Sequence, residues 1–238
     1  MATVSSVLAE LKSKAAENIR AIYLRHGAPP DETLGVRAAD MKAVARSIRK
    51  QQALACELYE TGIFEAMYLA GLVADGSLLT RSQLDSWAEK TAGRPMIFEC
   101  TVPWLTVENP HARELARHWI GSRKEHVAAA GWCTWSGLVA VTPDEKLDLA
   151  EIEGLLESIP KKIGKAPNRV RSTMNSFVIA VGTYVAPLLK KAIAVAEKLG
   201  DVDVDVGDTA CEIPNARERI AKAQAGGRAG VKRKTIRC

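Results

Sequence analysis

Apolar residues recur at helical spacing along most of the chain, and the clearest stripe lies in its second half. A helix over 167–185 would place the following residues on one face: Val170, Met174, Phe177, Val178, Val181, Tyr184 and Val185. Their spacing is that of a single buried helix face. Pro167 suits the first turn, where an N–H has no partner within the helix. The pattern therefore predicts a helix from 167 to 185.

The same periodicity predicts helices in most of the remaining chain. The predicted segments are 3–26, 36–51, 62–75, 80–92, 110–121, 124–140, 148–159 and 186–199. Breakers such as Gly27-Ala28-Pro29-Pro30 and Asn109-Pro110 separate them. The alternating run from Val202 to Val206 is the exception and is typical of an extended segment. The tryptophans lie at helical spacing, so we expect most of them in the core.

About nine helices joined by short turns are too many for a four-helix bundle. Stacked helix pairs solve the burial problem, because each pair covers the apolar face of the next. We therefore predict an all-α fold, a HEAT/ARM-like α-solenoid superhelix of antiparallel helix pairs. Residues 1–200 are predicted to form this helical repeat domain. Residues 201–238 are predicted to be an irregular, basic C-terminal extension of the same domain.

Composition and cysteine usage narrow the class of protein. The chain is 47% hydrophobic and 26% charged, as ordinary globular domains are. No apolar run approaches the ~20 residues that span a bilayer, and no signal peptide is visible. The five cysteines are scattered, without a C-x-x-C pair, which favours reduced thiols over disulfides or a zinc site. We therefore expect a cytoplasmic protein with no membrane partner and no metal or other cofactor.

Positive charge is concentrated in two parts of the chain. The formal net charge is +5, and its distribution is more informative than its size. Residues 161–171 contain no acid and five cations, which are Lys161, Lys162, Lys165, Arg169 and Arg171. The segment after Arg219 also lacks acids and contains Lys222, Arg228, Lys232, Arg233, Lys234 and Arg237. Such segregation favours a polyanion partner, and we expect the two clusters to converge on one surface; a solvated face with a basic tail is the alternative.

The predicted helix over 167–185 also has a polar stripe opposite its apolar one. The members of this stripe are Asn168, Arg171, Ser172 and Asn175. Side chains of these types commonly contact phosphates and sugars, although a solvated back face would look the same. Lys165 and Arg169 flank the start of the helix, whose N–H groups and dipole favour an anion.

Glu99 is the carboxylate with the strongest local argument for a role. If a helix runs through 97–106, Pro103 removes the N–H that would bond the Glu99 carbonyl and distorts the helix there. An acid at such a distortion is a reasonable functional site. The alternative is a helix that begins after Thr101, with Thr101 as its N-cap and Glu99 on a solvent-exposed loop.

Several segments resemble the bacterial DNA alkylation repair glycosylases of the HEAT-like, AlkD type. They are Gly35-Val36-Arg37-Ala38-Ala39-Asp40-Met41-Lys42, Leu58-Tyr59 to Phe64-Glu65-Ala66, Glu99-Cys100-Thr101-Val102-Pro103, Pro167-Asn168-Arg169-Val170-Arg171 to Phe177, and the tail Gly207-Asp208-Thr209-Ala210-Cys211 with Lys232-Arg233-Lys234-Thr235. The resemblance is diffuse and covers the chain from about 20 to 238. It implies a helical superhelix whose cationic concave face binds duplex DNA.

The resemblance also implies a mechanism and its residues. A carboxylate beside the sugar stabilises the positive charge that develops when a cationic alkylpurine leaves. That carboxylate falls on Glu99, which is longer than the family's usual aspartate. Of the family's two tryptophan positions, one falls on Pro95 and the other on Phe177. The family's phosphate-contacting arginine falls on Ala128.

Together these patterns predict a DNA-binding protein of alkylation-damage repair, acting as a monomer on damaged or branched double-stranded DNA. It would excise cationic N3- or N7-alkylpurines if Glu99 acts as the catalytic carboxylate. The predicted DNA-binding residues are Lys165, Asn168, Arg169, Arg171, Asn175, Phe177, Lys232, Arg233 and Lys234. Two alternatives are a non-catalytic relative that recognises DNA by its shape, and a protein-interaction scaffold. The proline at position 95 favours the non-catalytic relative over the enzyme.

Overall fold

The structure is a computed structural model that describes residues 2–237, and its regular structure there is helical. The α-helices, in chain order, are α1 Val4–Ser13, α2 Glu17–Arg25, α3 Ala38–Ser47, α4 Gln52–Glu60, α5 Phe64–Val73, α6 Arg81–Glu89, α7 Val102–Val107, α8 Ala112–Trp119, α9 Glu125–Val141, α10 Leu149–Lys162, α11 Asn168–Tyr184, α12 Leu189–Leu199 and α13 Ala216–Ala225. A π-helical turn, Ile97–Thr101, leads directly into α7. The predicted all-helical class is thereby confirmed.

The predicted helix over 3–26 is two helices, because a contact from outside the segment ends the first one. The backbone N–H of Ala16 donates to the carbonyl oxygen of Gly35 instead of continuing the helical ladder. Gly35 has φ +89°, and a Cβ there would lie 2.6 Å from the Ala16 carbonyl oxygen. The segment contains no glycine or proline that would signal the break.

Two helices were not predicted from the pattern. Helix α4 begins two residues after Lys50, whose φ of +63° reverses the chain without a glycine or proline. Helix α13 lies within 201–238 and is capped by Asn215, whose side chain accepts the N–H of Glu218. The run 202–206, for which the alternation favoured an extended segment, contains no β-strand.

The contacts of the chain divide it into two compact units. One contains the residues up to His111 together with Val206–Ala210, and the other contains Ala112–Asp205 and Cys211 onward. We refer to them as unit 1 and unit 2. The assignment of 1–200 to one helical domain with 201–238 as its extension stays a prediction.

Unit 1 is built around the apolar helix α5 and a buried carboxylate. The Glu65 side chain is fully buried and accepts backbone N–H groups of Leu34, Gly35 and Val36 at 2.9, 2.6 and 3.2 Å. Nearby in the same unit, the ring of Tyr59 stacks on Trp87 with 3.8 Å between centroids. A carboxylate with three backbone donors satisfies its lone pairs without water, so it fastens the 34–36 segment to α5.

Unit 2 has two layers of helices, and α9 and α11 form the inner one. Glu125 contacts Arg169 near the start of both helices, and Trp132 packs on Phe177 further along both. Helices α9 and α11 therefore run parallel. Helices α8, α10 and α12 form the outer layer, joined by ion pairs of Arg113 and Arg117 with Glu151 and of Lys191 with Glu153 and Glu157. The five tryptophans are buried, as predicted.

No single helix within residues 2–237 is both long and apolar enough to cross a membrane. Helix α11 and the following Ala186–Leu199 pass that test only as a pair, and they are bent by 112° at their junction.

Candidate nucleic-acid interface

The backbone around Glu99 is distorted, as the position of Pro103 predicts. The N–H of Val102 donates to the carbonyl oxygen of Ile97, five residues back, which is the hydrogen bond of a π-helix. Pro103 follows directly and has no N–H to continue an α-helical ladder. The prediction of a distorted helix through Glu99 is confirmed, and the alternative of a loop that precedes an N-cap at Thr101 is wrong. Single π-turns occur frequently at functional sites.

Close packing against α5 fixes the π-turn on which Glu99 stands. Thr101 is fully buried, and a Cβ added at Gly71 would lie 2.8 Å from its Cγ2 atom. Only a glycine therefore allows α5 and the π-turn to approach so closely. The Glu99 side chain is half-buried. Its role as a catalytic carboxylate stays a prediction.

The first basic cluster lines a cleft in unit 2. Lys161, Lys162 and Lys165 line a cleft of about 280 Å³. The other lining residues are Ile120, Ser122, Ala128, Ala166, Pro167, Val170 and Met174. We call this site the lysine cleft. Its exposed rim is cationic and its buried floor is mainly apolar. It can therefore hold a ligand whose anionic group lies near the rim and whose apolar part lies against the floor.

The three lysines of the cleft are not held in ion pairs. Lys161 still interacts with Glu157 on α10, whose pKa is lowered by Lys191 and, to a smaller extent, by Lys161. Lys161, Lys162 and Lys165 are exposed, and none has an ion pair with another residue in the described range 2–237. In the outer layer, by contrast, the Arg117 guanidinium lies 2.6 Å from Glu151. Burial opposes the ionisation of Glu151, but hydrogen bonds from Arg117 and Arg113 lower the pKa of its carboxyl. Arg113, Arg117 and Lys191 are therefore neutralised by acids of α10, while Lys162 and Lys165 in the lysine cleft are available to a ligand.

The helix starts beside the lysine cleft add to its positive potential. Because α9 and α11 are parallel, the N-terminal end of each lies at the same end of the inner layer. The cap residues Lys124 and Pro167 make no side-chain hydrogen bond to their helices. Glu125 accepts the backbone N–H of Arg169 at 2.7 Å and so satisfies one of the exposed donors. The remaining N–H groups and both helix dipoles favour an anion.

Asn168 and Arg171, predicted DNA contacts, hold a neighbouring segment of the chain. The Asn168 side chain donates to the carbonyl oxygen of Asp205 and accepts its N–H, at 2.7 and 2.8 Å. Arg171 donates to Asn168 at 3.3 Å and lies 3.8 Å from the Asp203 carboxylate. Both side chains are half-buried. Their first role is therefore to fasten residues 203–205 to α11.

Asn175 and Phe177 lie in the core, which corrects the prediction that they contact DNA. Asn175 is 1% exposed and donates to the carbonyl oxygen of Pro214 at 2.8 Å. Phe177 has no exposed surface, and its ring centroid lies 5.3 Å from that of Trp132. Neither side chain has an accessible surface to offer a ligand in this structure.

The second basic cluster is anchored at the other end of the inner layer. The Lys232 ammonium lies 2.7 Å from Asp144 and donates to the carbonyl oxygen of Val139. The N–H of Arg233 donates to Ala140, while the side chains of Arg233 and Lys234 are exposed. Helix α11 has 17 residues, or about 25 Å. The two clusters therefore lie near opposite ends of α9 and α11, and their convergence on one surface stays a prediction.

Three polar residues that line the lysine cleft, Lys161 among them, were not selected as DNA contacts from the sequence. Lys162 and Ser122 line the lysine cleft with Lys165. Lys162 belongs to the charge run, which could have indicated it, whereas no local pattern marks Ser122. Arg169 lies at the start of α11, where its backbone meets Glu125.

Comparison with known proteins identifies the family. The model of the family described as DNA alkylation repair enzyme matches residues 7–219. The chain belongs to the DNA alkylation repair family. An uncharacterized protein of Listeria innocua, Lin0241, is 29% identical over 94% of this chain and 98% of its own length. Lmo0209 of Listeria monocytogenes is 29% identical with the same coverage.

A solved structure extends the family assignment to the fold. It comes from proteins described as a new family related to the HEAT-like repeat DNA glycosylases, with affinity for branched DNA structures. The two chains are 33% identical, each is covered completely, and the TM-score is 0.90. The HEAT-like helical fold that the periodicity predicted is confirmed by this match. In this member of the DNA alkylation repair family, Ala128 is one of the residues that line the lysine cleft.

Proposed function

We propose that this protein binds branched or damaged double-stranded DNA as a monomer, and that the lysine cleft contacts the DNA backbone. The observation that carries the proposal is a cleft lined by three exposed lysines that make no ion pair within residues 2–237. Unpaired cations in a recess retain their full charge for phosphates.

Two further observations support DNA over a protein partner. The structural relative with 33% identity belongs to proteins with affinity for branched DNA structures. In addition, the three lysines of the lysine cleft gather in one depression, whereas Arg113, Arg117 and Lys191 are each paired with acids of α10. A general protein-interaction scaffold does not require this distribution.

The dependence of binding on salt tests the proposal. Each phosphate that a lysine neutralises contributes about −0.9 to the slope of log K against log salt concentration. Changing Lys161, Lys162 and Lys165 to Gln together should flatten the slope by up to about 3, measured by fluorescence anisotropy on a three-way junction. The control changes Lys12, Lys190 and Lys198 to Gln, which are exposed helix lysines outside the cleft.

We expect the cleft variant to bind DNA more weakly and with a flatter dependence on salt concentration. The control variant should keep the affinity and the salt dependence of the original protein. Equal responses of the two variants would mean that the lysine cleft does not contact the DNA backbone. Binding by the original protein that is independent of salt would contradict a DNA partner altogether.

A second candidate function is excision of cationic alkylpurines, and the π-turn at Glu99 favours it. A half-buried carboxylate on a rigid, distorted turn can stabilise positive charge on a deoxyribose as the base leaves. The pyrrolidine ring of Pro95 approaches Gly27, where an added Cβ would lie 3.5 Å away, and it supplies no aromatic wall beside the lesion. We therefore propose binding as the main function and excision as a weak activity.

A further inference from the structure

We propose that unit 1 has a surface of its own for the phosphates of duplex DNA, on the exposed side of helix α3. This inference rests on the proposed DNA binding, because it takes the same partner, and it adds a second contact surface in a part of the chain that does not line the lysine cleft. It is carried by the cations along α3, by their lack of ion pairs and by the kind of residue that lies between them.

Helix α3 separates apolar and cationic residues on opposite sides. Its buried side contains Met41, Val44 and Ala45. Lys42 and Arg46 lie one above the other on the helix, four residues apart, and Arg49 and Lys50 follow in the turn after it. Lys42 is half-buried and the other three cations are exposed, as are two alanines of the helix. We call the following residues the α3 face: Ala39, Lys42, Ala43, Arg46, Arg49 and Lys50.

The cations of the α3 face are not held by acids. The chain contains no acid between Asp40 and Glu57, and Asp40 is paired with Arg37 at 2.9 Å. None of the four cationic side chains has an ion pair or a hydrogen bond within residues 2–237. Most other cations of unit 1 are paired: Lys14 with Glu10, Arg20 with Glu17, Arg37 with Asp40, Arg81 with Asp85, Lys90 with Glu60 and Arg94 with Glu32. Unit 1 therefore concentrates its unpaired positive charge on this one face.

The dipole of α3 does not account for this arrangement. Cations near the C-terminal end of a helix are favourable, and Arg46, Arg49 and Lys50 lie near that end. However, none of these side chains donates a hydrogen bond to a carbonyl oxygen in the described part of the chain. Lys42 lies in the middle of the helix, and the effect of the dipole is confined to the last turn. A phosphate ligand would give all four cations a common role.

The residues between the cations favour the backbone of a duplex as that ligand. The exposed residues of α3 and its final turn include no aromatic and no large apolar side chain. Protein partners are commonly anchored by such side chains, and single strands by bases stacked on aromatic rings. Ala39 and Ala43 instead leave room for a close approach. From Lys42 to Ser47 the helix rises about 7.5 Å, over which one strand of a duplex presents about two phosphates.

The first experiment removes charge from the α3 face of the full chain. Lys42, Arg46 and Arg49 are changed to Gln together, and binding to a three-way junction is measured by fluorescence anisotropy at several salt concentrations. We expect about tenfold lower affinity and a slope of log K against log salt that is flatter by up to about 3. The control changes Lys14, Arg81 and Lys90 to Gln, which removes the same charge from ion-paired cations of unit 1. Its slope should match that of the original protein.

The second experiment adds charge at a neutral position of the same face. Ala43 is exposed, and both Lys and Glu are good helix formers. Ala43→Lys should raise the affinity for DNA about two- to threefold, and Ala43→Glu should lower it by at least as much. The same two substitutions at Ala194, an exposed alanine of α12 in unit 2, are the control and should differ little from each other.

The outcomes separate this inference from the proposed function. If the α3 variant binds like its control, or if Ala43→Lys and Ala43→Glu bind equally well, the α3 face is not a DNA surface; weaker binding by the lysine-cleft variant would still support the proposed function. If the α3 variant loses affinity and the lysine-cleft variant does not, the α3 face is supported and the lysine cleft is not the contact. Failure of the original protein to bind either branched or linear duplex DNA would overturn both.

Discussion

The Glu125 carboxylate accepts the backbone N–H of Arg169 at 2.7 Å and thereby joins the first turn of α9 to the first turn of α11. This contact aligns two parallel helices whose positive ends lie beside the lysine cleft. It also places one negative charge at the end of the inner layer where the cations gather. The carboxylate therefore stabilises the arrangement that creates the cleft and opposes the binding of an anion there.

Substitution of Glu125 should separate these two effects. Glu125→Gln keeps an oxygen that can accept the Arg169 N–H and removes the charge, so DNA affinity should rise by about two- to fivefold. Glu125→Ala removes the acceptor and should lower the free energy of unfolding by about 1–3 kcal/mol, measured by urea denaturation. Glu145→Gln, at an exposed acid elsewhere in unit 2, is the control. Weaker DNA binding by Glu125→Gln would contradict the proposed position of the phosphate.

Glu65 should be essential for the stability of unit 1. Glu65→Gln keeps one accepting oxygen, but its amide nitrogen would oppose one of the three backbone donors at 34–36. We expect a loss of about 1–3 kcal/mol in the free energy of unfolding, and a larger loss for Glu65→Ala, which removes every acceptor. Urea denaturation, monitored by circular dichroism, checks whether Glu65→Ala is less stable than Glu65→Gln. The control is Glu57→Gln, on the exposed face of α4. A Glu65→Ala variant as stable as this control would contradict the structural role.

The ion pairs of the outer layer should make stability depend on pH in the acid range. Hydrogen bonds from Arg117 and Arg113 lower the pKa of Glu151, against the opposing effect of burial. Since the folded-state pKa is lowered, the ionised carboxyl stabilises the protein above the unfolded-state pKa, about 4.3. That stabilisation is lost as pH falls through the folded-state pKa.

Glu151→Gln should therefore reduce stability at pH 7 and make unfolding less sensitive to pH between 5 and 3. The effect should be below about 1 kcal/mol, because the side chains of Arg113 and Arg117 are about half-exposed. Urea midpoints at several pH values measure it, with Glu145→Gln as the reference. An identical pH dependence in both variants would show that the pairs contribute nothing to folding.

Sequence periodicity predicted α11 almost to the residue, and Pro103 predicted the distorted helix at Glu99, because both follow from local chemistry. The polar stripe of α11 was harder to interpret. A helix pattern shows that one face is polar, but it cannot show what covers that face. In the structure, Asn168 bonds Asp205 and Asn175 bonds Pro214, so a later segment occupies the surface that DNA was expected to contact.

The basic clusters show the same limit in terms of charge. A run without acids along the chain does not exclude an acid from another element in space. Lys232 meets Asp144 from the turn after α9, whereas Lys165 meets no acid in the described part of the chain. The sequence pattern therefore indicates both clusters as binding sites. Only the packing of the helices distinguishes a cation that is paired with an acid from one that is available to a ligand.

If the protein releases bases, the activity should depend on Glu99 and should be confined to cationic lesions such as N3- or N7-alkylpurines. A positively charged base already leaves readily, so a carboxylate that contributes a few kcal/mol at the sugar can suffice. A neutral lesion would need a general acid to protonate the departing base. Glu99→Gln keeps the shape and removes the charge, so it should abolish base release from methylated DNA, measured by chromatography, while DNA affinity stays equal or rises slightly.

Glu108→Gln, at an exposed acid of unit 1 outside the π-turn, serves as the control. Undiminished release by Glu99→Gln would identify another carboxylate as the catalytic one, and efficient excision of a neutral lesion would require a different mechanism.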